Sequence, residues 1–196
     1  MKTLVLASGN PGKLRELSAL LADTGYQVCP QSDFDVTDVA ETGTTFVENA
    51  IIKARHAAQL TGHATLADDS GIVVDALNGE PGVYSARFAG NQANDEANNA
   101  LLVEKLRAVP EQQRSARYKA VIVYMRNAVD PCPVICEGSW KGVITLEAKG
   151  SGGFGYDPYF YLPEYGCTSA ELSAEEKNRV SHRGQALRLL LERLPR

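Results

Sequence analysis

The sequence predicts an α/β fold. Strand-like and helix-like segments mix along its length, two helices open with capping boxes, and the strand candidates are too irregularly spaced for a plain alternating Rossmann domain. With 196 residues, 44% hydrophobic and 22% charged, the chain is read as one domain over 1–196. A core of that size needs no disulfide or metal to hold it.

Residues Thr3–Ala7 form an apolar first strand, followed at once by a glycine turn and a helix carrying Leu14, Leu17, Leu20 and Leu21. Tyr26–Cys29 is the next strand, leading into an acidic stretch from Asp33 to Glu41. Thr45 and Glu48 make a capping box, so a helix begins there and runs to about Gly62 with Val47, Ala50, Ile51, Ala54 and Ala58 inward. Thr65–Ala67 and Ile72–Val74 read as two short strands on either side of Asp68-Asp69-Ser70-Gly71. A helix from Asn94 carries Leu101, Leu102 and Leu106 and stops before Pro110. Arg117–Met125, rich in Val, Ile and Tyr, is a strand. Val134–Glu137 and Val143–Leu146 read as two weaker strands flanking Gly138 and Gly142. Tyr159–Tyr161 is a strand after the glycine loop 150–155, and two helices close the chain, one capped by Ser173 with Glu176 and one starting near Ser181.

The net charge of −4 gives no basic face for broad nucleic-acid binding, although a local basic pocket for a phosphorylated small molecule is compatible with it. No apolar run approaches the ~18 residues of a membrane span, and the first strand is too short and too quickly broken to be a signal peptide. Four cysteines, Cys29, Cys132, Cys136 and Cys167, make neither a disulfide framework nor a paired zinc motif, so a reduced, cytoplasmic protein is expected.

Four segments carry candidate chemistry. Ser8-Gly9-Asn10-Pro11-Gly12-Lys13 joins a strand to a helix, where close-approaching amides, a helix N-terminus and a lysine suit a phosphate. It lacks the Walker A spacing and the Ser or Thr after the lysine, and the plain alternative is a βα turn. Asp68-Asp69-Ser70-Gly71 places adjacent acids at a strand end, either as oxygen ligands for magnesium or as an acidic turn. Glu41 is a further carboxylate for such an ion, and Asn49, Lys53 and His56 share one helix face, mostly opposite Ala50 and Ala54, from which Lys53 could reach the same place. For His56 a solvated helix face is the preferred reading. Gly152-Gly153-Phe154-Gly155-Tyr156-Asp157-Pro158 offers an aromatic face for a base, or a turn whose aromatics pack inward. Ser181-His182-Arg183, preceded by Lys177, puts donors at a helix start. Phosphate donors, metal carboxylates, a stacking aromatic and late donors together describe a nucleoside triphosphate site. No Cys–His or Ser–His–Asp nucleophile is evident, so direct attack by water is the simpler chemistry.

These segments, with Glu48-Asn49-Ala50, Lys53-Ala54 and Pro81-Gly82-Val83-Tyr84-Ser85-Ala86-Arg87, resemble in order and nearly end to end the inosine triphosphate pyrophosphatase family, its bacterial members above all. The resemblance implies magnesium-dependent hydrolysis of ITP, dITP and XTP to the monophosphate and pyrophosphate, cleansing the nucleotide pool. It implies a homodimer, and an elongated mixed β-sheet flanked by helices in two lobes around a central nucleotide-binding cleft. Carried over by motif, residues 8–13 (Ser8, Gly9, Asn10, Pro11, Gly12 and Lys13) would hold the triphosphate, with Lys53 adding charge. Asp69 would be the base and, with Glu41, a magnesium ligand, supported by Asp68. Relatives often carry two consecutive acids at the Glu41 position; Ala40 here leaves Glu41 alone to do it. Ser70, Phe154, Gly155, Tyr156, Asp157, Lys177, His182 and Arg183 would line the nucleotide pocket. Donors from Arg183, His182 or backbone amides would pair with the six-position oxygen of hypoxanthine or xanthine and be left unpaired by adenine. Two rivals differ in class or substrate: a Maf-type pyrophosphatase of modified pyrimidine nucleotides, and a nucleotide-binding sensor without turnover.

Overall fold

The structure, a computed structural model, describes residues 2–9, 11–22 and 24–194. Its elements run β1 (Lys2–Leu6), α1 (Pro11–Leu20), β2 (Tyr26–Pro30), α2 (Phe46–Thr61), β3 (Ala64–Val74), α3 (Asp95–Leu106), β4 (Ser115–Met125), β5 (Val134–Ile144), β6 (Phe160–Leu162), β7 (Cys167–Thr168), α4 (Ala174–Val180) and α5 (His182–Arg193). The strands form one open seven-stranded sheet in the order β2-β1-β3-β4-β5-β6-β7. It is mixed: β1 pairs in parallel with β2 and β3, while β6 pairs antiparallel with β5 and β7.

The chain divides into two compact units. The first comprises Met1–Asp69, Val121–Glu137 and Ala186–Arg196. Its core joins Val5 and Ala7 to Ala67, Val121, Val123 and Met125 from the sheet and to Ala50, Ala54 and Ala57 from α2. Those alanines are small enough to let the helix lie close on the strands, and Thr65 Oγ1 donates to the Ala54 carbonyl at 2.9 Å. The predicted capping box at Thr45 and Glu48 is present, and α2 ends at Gly62 in the left-handed region.

The second unit comprises Ser70–Ala120 and Gly138–Gln185. Here Ile72, Val74, Tyr118, Trp140, Ile144, Phe160 and Leu162 meet Leu102 and Leu106 of α3, an i,i+4 pair on one helix face. Asn94 caps α3 through its side chain, and Ser173 with Glu176 makes the second capping box at α4.

Three of the strands depart from the expectation. Asp68-Asp69-Ser70-Gly71 is not a turn between two strands but the middle of the single eleven-residue strand β3. The acids tolerate strand geometry because each carboxylate meets a lysine there. Val134–Glu137 and the first two residues of Val143–Leu146 likewise belong to one strand, β5, which runs through both glycines and ends at Ile144. Gly142 is a close-approach glycine: a Cβ there would stand 2.6 Å from the Tyr161 carbonyl oxygen and 2.7 Å from the Phe160 ring. The two-residue β7 is too short to have left a periodic signal.

Candidate active site

In the first unit, β1 ends at Leu6, and the Ala7 amide still donates across to the Leu66 carbonyl at 2.8 Å. The chain then passes Ser8 and the exposed Gly9 before α1 opens at Pro11. Asn10 lies outside the described residues. The loop therefore leads directly into a helix N-terminus, with Lys13 in the first turn. Lys13 Nζ donates to both oxygens of Asp68, at 2.7 and 2.6 Å. Asp68 is buried.

A second lysine serves two acids. Lys53 Nζ lies 2.8 Å from Glu41 Oε1 and 3.1 Å from Asp69 Oδ1. The helix face predicted to run opposite the alanines does not do so throughout, because Asn49 is fully buried with Ala50 and Ala54. Asn49 Oδ1 accepts the Gly43 amide at 2.8 Å, which pins the loop carrying Glu41 against the start of α2. His56, expected on a solvated helix face, is half-buried, and its Nε2 meets the Thr37 carbonyl at 3.2 Å.

Burial raises the Asp69 pKa above the ordinary carboxylate value, against the pull of Lys53; Glu41 pushes the same way as burial, and the Asn49 amide pulls it back. For Lys53, burial is the strongest single influence and opposes the charge. Asp69, Glu41 and Asp68 together outweigh it and hold the ammonium above its usual range. Asp69 Oδ2 is buried without a hydrogen-bond partner.

Among the described residues, no group of three or more His, Cys, Asp or Glu side chains is placed to hold a metal ion. The pair Glu41 and Asp69 nevertheless fits magnesium. Both are hard oxygen donors, and Glu41 Oε1 and Asp69 Oδ1 already converge on one cation, the Lys53 ammonium. Magnesium bound through one or two carboxylates plus substrate phosphates needs no third protein ligand.

The second unit brings the late motifs together. Phe154 is 71% exposed, and Lys177 Nζ stands 5.0 Å from its ring centroid. Lys177 also pairs with the buried Asp157. The Asp157 carboxylate accepts the Phe154 amide at 2.8 Å and the Ser169 hydroxyl at 2.8 Å. Gly153 is required there, since it has φ 77° and a Cβ would overlap that carboxylate. From α3, Asp95 accepts the Gly155 amide at 2.6 Å and Asn99 donates to the Gly155 carbonyl at 2.9 Å. Tyr156 turns inward, its hydroxyl donating to the Ser85 carbonyl at 2.7 Å. His182 and Arg183 open α5, and Ser181 Oγ accepts the Gly184 amide at 3.2 Å. Ser70 is exposed on β3.

Asp157, expected to line the pocket, holds the aromatic loop through its carboxylate. Asp95, Asn99 and Ser169 support the same loop and were not anticipated. Asp95 reads as an ordinary acid in a first helical turn, and nothing in the sequence marks the other two.

The sequence profile of the Ham1 family matches residues 4–193. The dITP/XTP pyrophosphatase of Pectobacterium atrosepticum is 58% identical over 194 residues, 99% of this chain and 98% of that protein. The dITP/XTP pyrophosphatase of Thioalkalivibrio sulfidiphilus is 61% identical over 191 residues, covering 97% of each. Among solved structures, a HAM1 protein from Coxiella burnetii superposes with a TM-score of 0.94 at 52% identity, covering 97% of this chain and 96% of that one. The nucleoside-triphosphatase / dITP/XTP pyrophosphatase of Mycobacterium abscessus superposes with a TM-score of 0.83 at 43% identity, covering 99% and 100%. The open mixed sheet flanked by helices is the fold of the solved Ham1 proteins. The chain belongs to the Ham1 family.

Proposed function

We propose that this protein hydrolyses noncanonical purine nucleoside triphosphates, ITP, dITP and XTP, to the monophosphate and pyrophosphate, by attack of water on the α-phosphorus. The observation that carries the reading is the paired charge of the first unit: Lys13 on Asp68, and Lys53 between Glu41 and Asp69. A triphosphate needs cations, and half-buried lysines need acids until the phosphates arrive. The relatives named above as dITP/XTP pyrophosphatases support the substrate class.

Ser8 brings its hydroxyl and Gly9 its amide to the N-terminus of α1, where phosphate oxygens would sit, and Lys13 and Lys53 neutralise them. Glu41 and Asp69 would hold magnesium, which when bound supplies Lewis-acid charge to the phosphates. Asp69 Oδ2, raised in pKa and without a hydrogen bond, accepts the proton of the attacking water. Phe154 offers its exposed face to the purine ring. His182 and Arg183 supply donors for the six-position oxygen. A homodimer and a cytoplasmic location belong to the same reading; the four cysteines are free, and no described helix is long and apolar enough to cross a membrane.

The test is pyrophosphate release from ITP, XTP, dITP, ATP and GTP, with magnesium and with chelator. Magnesium-dependent pyrophosphate from ITP, dITP and XTP, with little from ATP or GTP, is expected. Free phosphate would move the cleaved bond to the γ-position. Tight ITP binding without turnover would make the protein a sensor, and a preference for modified pyrimidine nucleotides would place it with the Maf-type enzymes.

A further inference from the structure

The geometry points to Tyr118 as a positioning residue for base recognition: its ring face sets the plane of the His182 imidazole. The inference rests on the reading above that His182 faces the purine. The two rings are stacked with centroids 4.8 Å apart and an interplanar angle of 8°. Trp140 stacks more loosely on the same imidazole, at 6.4 Å and 21°. Tyr118 is itself held by packing. It is buried in β4, and Phe160 packs against it edge-on at 4.7 Å and 65°. A histidine at the first position of a helix has two side-chain torsions to settle, and a flat, immobile neighbour settles both. A donor that must meet one exocyclic oxygen loses its discrimination when its ring can swing, because the hydrogen bond depends steeply on angle.

The stack needs an aromatic face and not a hydroxyl, so Tyr118→Phe and Tyr118→Leu separate the two. Tyr118→Leu should lower the ratio of kcat/KM for ITP over ATP roughly tenfold, with Tyr118→Phe within about threefold of the parent. Tyr118→Leu should add nothing to that ratio in a His182→Ala background, where the ring it positions is gone. A purely structural loss would lower turnover of both nucleotides and persist in the double variant, which would overturn the inference. With only three histidines in the chain, His182 ring protons can be assigned by NMR. They should lie upfield in the parent and in Tyr118→Phe, and move downfield in Tyr118→Leu. Ring protons unshifted in the parent would show that the stack does not form. If His182→Ala leaves the ratio intact, the reading of His182 fails and the inference with it. If His182→Ala collapses the ratio and Tyr118→Leu does not, only the positioning role is overturned.

Discussion

Two carboxylates held near each other in a partly buried place repel, and a cation between them resolves the repulsion. Lys53 does this for Glu41 and Asp69, leaving the second oxygen of Asp69 outside the ion pair. That asymmetry suits a group that takes a proton. Asp69→Asn keeps the shape and one acceptor oxygen but loses the basicity. Turnover of ITP should fall by about 10²–10⁴-fold, with the circular dichroism spectrum unchanged; near-parent turnover would remove Asp69 from the chemistry. A different aspartate contributes to stability in a pH-dependent way. Asp130, buried, accepts from Arg126 Nε at 2.9 Å and Nη2 at 2.6 Å, and from the Arg126 and Cys132 amides at 3.0 Å each. Arg126 foremost, with the amides, holds its pKa well below the ordinary 3.8 against the opposing effect of burial. A depressed carboxyl stabilises the fold above its unfolded pKa, and that stability is lost as pH falls through the folded value. Asp130→Asn should therefore cost about 1.5–3 kcal/mol at pH 7, from the loss of hydrogen bonds to a charged acceptor. In urea melts the gap to the parent should shrink steadily below about pH 4. A gap unchanged down to pH 2 would contradict this.

At the level of elements, Gly142 shows how a strand can contain a residue that reads as its end. The absence of a side chain lets the Phe160 ring and the Tyr161 carbonyl close on β5. Gly142→Ala should destabilise by about 1–3 kcal/mol, read as a lower urea midpoint, with the slope unchanged. The same residue explains what was legible. Helices with capping chemistry were readable because their signals are local: Thr45 with Glu48, and Ser173 with Glu176, cap their helices as expected. Strand β4 was readable from its Val, Ile and Tyr content. Strands β3 and β5 were split because Asp68-Asp69-Ser70-Gly71 and Gly138 to Gly142 carry turn composition. What keeps them extended is non-local: lysines from α1 and α2 in one case, a ring from β6 in the other. Local preference yields where a site needs its side chains on a rigid element. The aromatic loop was found as a motif, but its supports were not, since Asp95, Asn99 and Ser169 reach it only through the fold.

For the whole molecule, a net charge of −4 coexists with cations placed where phosphates are expected to bind, so overall charge excludes little about a small anionic substrate. Each unit has its own core and its own share of the candidate chemistry, charges in the first and aromatic rings in the second. The chain belongs to the Ham1 family, and the relatives named above are dITP/XTP pyrophosphatases. The central claim is the bond that breaks. Hydrolysis of ITP in ¹⁸O-labelled water, followed by ³¹P NMR of the products, tests it most directly. Attack at the α-phosphorus predicts the label in the monophosphate and none in pyrophosphate. Label in pyrophosphate, or release of labelled inorganic phosphate, would contradict the account.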